Sequence, residues 1–141
     1  MNTNGEESEA IAAVRARRGF VLPVHRLLDR LDPEILRRYD SLASYVIRDE
    51  SVKALDLKTR YLVMVGVTTA VNGDAEGIEW SAAGAIRHGA TEEEVLEAMV
   101  LAMLPAGVPA LEKAAHVWDG LASGTGVIGL QLEENRVEET P

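Results

Sequence analysis

The sequence predicts an all-α fold on three observations. The 141-residue chain is 47% hydrophobic but only 4% aromatic, so aliphatic side chains must fill its core. Such a composition favours closely packed helices. Apolar residues recur at helical spacing, and no alternating strand pattern exceeds four residues. We therefore expect one helical domain over residues 20–122, after a partly disordered segment 1–19 and before a disordered tail or a strap over a neighbour at 123–141.

The first helix is predicted over residues 9–18. Gly19 follows directly and can end it, because glycine tolerates the left-handed backbone of a helix C-terminus. Residues 20–31 are interpreted as a connecting segment that contains one helical turn at 25–30.

The Asp32-Pro33 pair predicts the start of a helix over residues 32–49. Aspartate accepts hydrogen bonds from the free N–H groups of the first turn, and proline there forfeits none. Apolar residues then recur along one face of this helix: Ile35, Leu36, Tyr39, Leu42, Ala43 and Val46.

An almost wholly apolar helix is predicted over residues 56–72, with Asp56 as its N-cap. Its uncharged run, residues 61–73, has 13 residues and is too short to span a bilayer. A helix without a polar face is buried on all sides. In a domain this small we expect a neighbouring subunit to complete that burial, which predicts a homo-oligomer.

The next helix is predicted over residues 77–88, and Gly89 is suited to end it. Ser81, Gly84 and Ala85 give this helix one face of small residues, against which another helix can pack closely.

Two helices are predicted in the last third of the chain. Thr91 and Glu94 form a capping-box pattern that opens the first of them. Residues 105–109 are expected to break the helical path, and Pro109 then begins a last helix that runs to about Leu121.

Composition excludes several classes of function. The net charge of −9 disfavours nucleic acid and anionic membranes as partners, since both attract basic surfaces. The absence of cysteine excludes disulfides, thiolate metal sites and thiol catalysis within the chain. The polar, acidic N-terminus lacks the basic start and apolar run of a signal peptide, so we expect a cytoplasmic location.

A family resemblance is carried by several segments in order: Leu55-Asp-Leu-Lys-Thr-Arg60, an apolar helix, a polar turn within residues 72–81, Gly89-Ala-Thr-Glu-Glu-Glu-Val95 and Gly107-Val-Pro-Ala110. Over roughly residues 55–121 they resemble the carboxymuconolactone decarboxylase family, which includes the alkylhydroperoxidase D type. The resemblance implies an alkylhydroperoxidase-D-like helical domain, with the two helices around the polar turn as a central antiparallel pair. It also implies assembly as a trimer or hexamer.

The peroxidase branch of that family carries Cys-x-x-Cys in the polar turn, a histidine four residues later and an upstream glutamate. The corresponding cysteine positions here are Asp74 and Gly77, and the histidine position is Ser81. The glutamate falls at Tyr61 or Leu62. Since a Cys-x-x-Cys pair supplies the reactive thiol, we expect no thiol peroxidase activity.

The decarboxylase branch needs a cationic or donor group for a carboxylate, and an acid–base residue near the reacting carbon. The family's histidine again falls on Ser81, and no Lys, Arg or His lies between Arg60 and Arg87. The turn carries three carboxylates instead: Asp74, Glu76 and Glu79. An acidic turn repels a dianionic substrate, which argues against the family's name reaction unless an arginine from elsewhere or from another subunit compensates.

The three carboxylates of the turn allow three interpretations. They could complement the dipole of the helix start, which we favour, hold Mg²⁺ or Ca²⁺, or act as acid–base groups. We expect no metal and no cofactor. If the protein is catalytic, Glu76 or Glu79 would be the acid–base group and Asp74 would contact the substrate.

Four further residues are candidates beside the turn. Tyr61 could donate a proton, although a tyrosine on an apolar helix is more often part of the core. Arg60 could orient the ligand, but a pair with Asp56 on the same helix face is favoured. Ser81 and Trp80 could contact the substrate, although packing is their more common role.

Two hypotheses of function remain open from the sequence. The leading one is a cofactor-independent, non-redox lyase or isomerase, acting on a small organic molecule between helices 56–72 and 77–88 at a subunit interface. The alternative is a catalytically inert oligomeric binding or assembly protein. An enclosed pocket with Tyr61, a carboxylate and an arginine would favour the first; carboxylates that all face solvent would favour the second.

Overall fold

The computed structural model describes residues 6–48, 54–71 and 73–126, and seven helices but no strand lie within these ranges. The all-α prediction is therefore confirmed. The helices are α1 Glu9–Arg18, α2 Pro23–Leu31, α3 Pro33–Arg48, α4 Leu57–Ala70, α5 Ala75–Arg87, α6 Glu92–Ala106 and α7 Val108–Ala122. The chain divides into two compact units, one containing α1 to α3 and the other α4 to α7.

Some predictions concern residues outside these ranges. The predicted disorder of residues 1–5, the end of the third helix at 49, Asn72 in the polar turn and the tail from 127 to 141 all lie outside the described residues. The domain boundaries at 19 and 122 stay predictions. None of the described helices combines the length and the apolar character that crossing a membrane would require.

Helix α1 follows its local sequence signals. Ser8 Oγ accepts the N–H of Ile11 at 3.2 Å, and Gly19 ends the helix with φ 80°. Residues 20–31 differ from prediction, because α2 is a full helix rather than one turn. The side chain of its N-cap, Leu22, accepts no hydrogen bond. The N–H of Leu22 donates to Nδ1 of His25 at 3.0 Å, which is the N3 half of a capping box with histidine in place of the usual Glu or Gln.

The first unit buries charged groups between α1 and α3. Asp40 is 2% exposed and accepts from Nε of Arg18 at 2.6 Å, while Arg17 forms a second ion pair with it. His25 is also fully buried, and burial followed by the charge of Arg18 lowers its pKa to about 4. These groups accompany a small apolar core: Ala10, Ile11, Val14, Val21 and Leu36.

The second unit is organised around α4 and α5. A Cβ built on Gly77, near the start of α5, would lie 4.0 Å from Thr68 Cγ2, near the end of α4. Tyr61 near the start of α4 stacks on His88 at the end of α5. These contacts confirm that the two helices around the polar turn form an antiparallel pair.

Helix α6 opens with the predicted capping box. Thr91 Oγ1 accepts the N–H of Glu94 at 3.1 Å, and Glu94 accepts the N–H of Thr91 at 2.9 Å. The predicted break at 105–109 is shorter than expected: α6 continues through Pro105 to Ala106, and only Gly107, with φ 86°, separates it from α7.

Candidate functional site

The polar turn begins α5 two residues earlier than predicted. Asp74 has extended backbone angles, and its Oδ1 accepts the N–H of Gly77 at 2.7 Å. The helix therefore starts at Ala75, with an exposed aspartate as its N-cap. This carboxylate satisfies a free N–H of the first turn, in agreement with the helix-start interpretation.

Glu79 differs from the other two carboxylates of the turn. Glu76 lies in the first turn of α5 and is partly exposed, as a dipole-complementing residue would be. Glu79 is the fifth residue of the helix and is only 4% exposed. Burying a carboxylate is unfavourable unless its surroundings compensate. The helix dipole thus accounts for Asp74 and Glu76 but not for Glu79.

The carboxylate of Glu79 packs against the chain that follows α7. A Cβ built on Gly126 would lie 2.1 Å from Glu79 Oε1 and 2.7 Å from Cδ, closer than real Cβ contacts allow. Glycine at 126 is therefore required for the carboxylate to occupy its observed position. Helix α5 directs Glu79 toward the C-terminal end of α7.

A cation reaches the polar turn from α7. Nζ of Lys113 donates a hydrogen bond to the backbone oxygen of Gly73. The sequence predicts no cation in the stretch from Arg60 to Arg87, and within that stretch this is correct. Lys113 is distant in sequence and follows no local pattern, so only the packing of α7 against α5 reveals it.

Tyr61 and Trp80 lie together in an aromatic cluster on the α4 side of α5. The Tyr61 ring is 2% exposed and lies 5.4 Å from the Trp80 ring, edge to face. It stacks on His88 at 4.9 Å with a 15° interplanar angle, while His88 Nδ1–H donates to the Gly84 carbonyl at 2.8 Å. A Cβ on Gly84 would lie 2.2 Å from Tyr61 Cε1, so glycine admits the ring.

Ser81 and Arg60 are buried residues that bond to the backbone. Ser81 Oγ donates to the oxygen of Gly77 at 2.8 Å. Arg60 Nε donates to the oxygen of Leu55 at 2.9 Å, and the pairing with Asp56 favoured from the sequence stays a prediction. Hydrogen bonds from Thr59 are the main cause of the lowered pKa of Asp56, and the charge of Arg60 contributes least.

Helix α5 therefore separates the predicted site residues into two groups. Trp80, Gly84 and His88 recur every four residues and face Tyr61. Glu79 lies about 140° around the helix from Gly84, since successive residues are about 100° apart. The structure brings Tyr61 and Trp80 together on one side and sets Glu79 on the α7 side, where Lys113 also contacts the polar turn.

A separate open groove of about 540 Å³ runs between α4 and α6. Its walls are mostly apolar, and Val63 and Val67 of α4 remain 49% and 47% exposed there. The described residues of this unit thus leave one face of the apolar helix uncovered. Among the described residues, no group of three His, Asp or Glu side chains is placed to hold a metal ion.

Comparisons with known proteins agree with this geometry. The sequence model of the carboxymuconolactone decarboxylase family matches residues 33–120. A crystal structure from Burkholderia xenovorans LB400, of a protein provisionally assigned as a carboxymuconolactone decarboxylase, superposes with a TM-score of 0.63. It is 19% identical, and the alignment covers 94% of this chain and 95% of that chain, so the likeness shows a shared fold. No curated protein matches the chain.

Proposed function

We propose, from the premise that this chain belongs to the carboxymuconolactone decarboxylase family, that it is a cofactor-independent lyase or isomerase acting on a small organic molecule. The observation that carries the proposal is the burial of Glu79 beneath Gly126. Burying a carboxylate is unfavourable unless its surroundings compensate, and the helix dipole that accounts for Asp74 and Glu76 does not account for Glu79. Glu79 is therefore proposed as the acid–base group.

Lys113 supplies the charge that the polar turn itself lacks. Decarboxylation or isomerisation of a lactone acid requires a cation for the substrate carboxylate and a group that moves a proton at carbon. Lys113 bonds to Gly73 at the turn, and Glu79 lies on the same side of α5. This one cation reduces the repulsion that the three carboxylates of the turn exert on an anionic substrate.

The other predicted site residues take supporting roles in this proposal. Tyr61 and Trp80 fix the spacing of α4 and α5 through their ring contact. Asp74 and Ser81 hold the first turns of α5 through their backbone hydrogen bonds. Arg60 anchors the start of α4 in the same way. Glu76, which is partly exposed, is the weaker of the two acid–base candidates.

The test is turnover by matched glutamine variants. The wild-type protein would be offered a panel of γ-lactone carboxylic acids, with release of CO₂ and migration of the ring double bond as readouts. Glu79→Gln is expected to lose at least about 100-fold in kcat, the scale of a lost acid–base group. Glu112→Gln, an exposed glutamate of α7, is the control and is expected to keep full activity.

Three outcomes would contradict this assignment. Turnover that survives in Glu79→Gln would remove Glu79 from the chemistry, and a loss confined to Glu76→Gln would move the role to the other candidate. Replacing Glu76 and Glu79 together and finding turnover unchanged would exclude both glutamates as acid–base groups.

The second candidate function is a catalytically inert assembly protein, and the groove between α4 and α6 favours it. Monomers rarely leave large apolar patches exposed, and here Val63 and Val67 are half-exposed beside Leu101. A second copy of the chain is the proposed cover, in a trimer or hexamer located in the cytoplasm. Light scattering should show this oligomer in the wild type and a smaller species in Val67→Glu. An oligomer that turns over no member of the panel would favour the inert function.

A further inference from the structure

The chain turns tightly after α7, and one carbonyl organises that turn. The oxygen of Gly120 accepts the N–H of Thr125 at 2.9 Å and the N–H of Gly126 at 3.0 Å. The hydroxyls of Ser123 and Thr125 approach the same oxygen at 3.2 and 3.4 Å, and they lie 3.0 Å from each other. Gly124 has φ 74°, which lets the chain reverse.

This turn lies directly against Glu79. Gly126, its last described residue, lies so close that any side chain there would overlap the carboxylate. The turn contributes no large apolar side chain, since residues 123–126 are Ser, Gly, Thr and Gly, and the first three are exposed. Segments held by a few hydrogen bonds without buried apolar contacts open at low free-energy cost.

We propose that residues 123–126 form a lid over Glu79, held to the end of α7 by the carbonyl of Gly120, and that Gly126 is the residue through which the lid closes. In the closed position the lid excludes water from the carboxylate. In the open position it uncovers Glu79 to a small molecule. The importance of the lid for catalysis rests on the function proposed above, but its existence does not.

The chemical accessibility of Glu79 tests the lid directly. The full-length protein would be treated with a water-soluble carbodiimide and glycine ethyl ester, and the modification of each glutamate would be timed by mass spectrometry. In the wild type, Glu79 is expected to react at least about tenfold more slowly than exposed Glu112, because burial protects it.

Three variants distinguish the opening of the lid from a general loosening of the fold. Gly126→Val should lift the lid and bring Glu79 close to the rate of Glu112. Gly120→Ala is the matched control, because its Cβ would meet Thr125 Oγ1 at an ordinary 3.8 Å, and it should keep Glu79 protected. The double variant Ser123→Ala/Thr125→Ala keeps both backbone bonds to Gly120 and should accelerate the labelling of Glu79 severalfold. It decides the question if Gly126→Val fails to fold.

The proposal is overturned if Glu79 of the wild type reacts as fast as Glu112. It is also overturned if folded Gly126→Val and Ser123→Ala/Thr125→Ala leave Glu79 as protected as Gly120→Ala does. Labelling needs no substrate, so these results do not depend on turnover. The turnover of Glu79→Gln tests the proposed function, and the labelling rate of Glu79 tests the lid.

Discussion

Both units of the molecule bury carboxylates, but they surround them differently. In the first unit, Asp40 lies between α1 and α3 and forms ion pairs with Arg18 and Arg17. In the second unit, Glu79 lies under a glycine at the end of a small turn. Burial alone therefore does not identify a functional carboxylate. The ion pairs of Asp40 join α1 and α3, whereas Glu79 lies against a turn that contributes only small side chains.

The same substitution at the two sites should separate these roles most strongly. Asp40→Asn leaves the buried guanidinium of Arg18 without its counter-charge, and breaking such a pair costs about 4 kcal/mol of unfolding free energy. Glu79→Gln preserves the shape and one acceptor oxygen, so its expected cost is below about 1 kcal/mol. Urea denaturation of both variants measures the difference.

A large loss of unfolding free energy in both variants would remove the distinction between the two carboxylates. If Glu79→Gln were destabilised as much as Asp40→Asn, Glu79 would be a structural group like Asp40. Retained stability together with lost turnover would instead place Glu79 among the residues that act on substrate.

The contrast also shows what the sequence could predict. Local signals predicted two helix starts correctly, at Asp56 and at the Thr91–Glu94 box, because capping depends on residues within one turn. The start of α5 was predicted two residues too late, and Asp74 caps it. The sequence did not distinguish Glu79 from Glu76, because burial depends on a turn almost 50 residues later.

Contacts between residues that are distant in sequence also limited the prediction of the site. Lys113 was missed because its bond to Gly73 joins residues 40 apart in sequence. The resemblance to a family predicted the antiparallel helix pair, since this pair surrounds the polar turn, which is one of the segments that carry the resemblance. The resemblance could not predict that Glu79 and Tyr61 lie on different sides of α5.

A second test of the first unit uses pH. Burial and the charge of Arg18 lower the pKa of His25 to about 4, with a smaller lowering by Arg26 and an opposing contribution from Asp40. The unfolded chain binds the proton near pH 6.5, so stability is lost as pH falls from about 6.5 to 4. The full loss is about 3 kcal/mol, at about 1.4 kcal/mol per pKa unit.

The pH dependence should disappear in a variant that keeps the cap of α2. Asn at position 25 can still accept the N–H of Leu22 but does not titrate, so His25→Asn should flatten the profile between pH 6.5 and 4. His116→Asn, a change at an exposed histidine, is the control and should leave the wild-type slope. A wild-type profile that is flat in this range would show that His25 is not held neutral by the fold.

Two glycines, Gly84 within α5 and Gly126 against it, extend the comparison within the second unit. Gly84→Ala would place a Cβ 2.2 Å from the buried Tyr61 ring, and overpacking of this kind costs about 2 kcal/mol. Gly126→Ala meets the free end of the Glu79 side chain, which can rotate, so we expect a smaller cost. Gly66→Ala is the helix control, with its Cβ an ordinary 3.6 Å from the Ala98 oxygen. Denaturation midpoints should fall in the order Gly66→Ala, Gly126→Ala, Gly84→Ala.

The smallest effect is expected where a carboxylate is paired but exposed. Glu94 lies 3.0 Å from Lys58, and both side chains are more than one third exposed. The hydrogen bond from Thr91 lowers the pKa of Glu94 more than Lys58 does. Glu94→Gln keeps an acceptor for Thr91, so its unfolding midpoint should match the wild type within error, because water screens exposed pairs. A clear loss of stability in Glu94→Gln would mean that ion pairing alone, without burial, explains the destabilisation expected for Asp40→Asn.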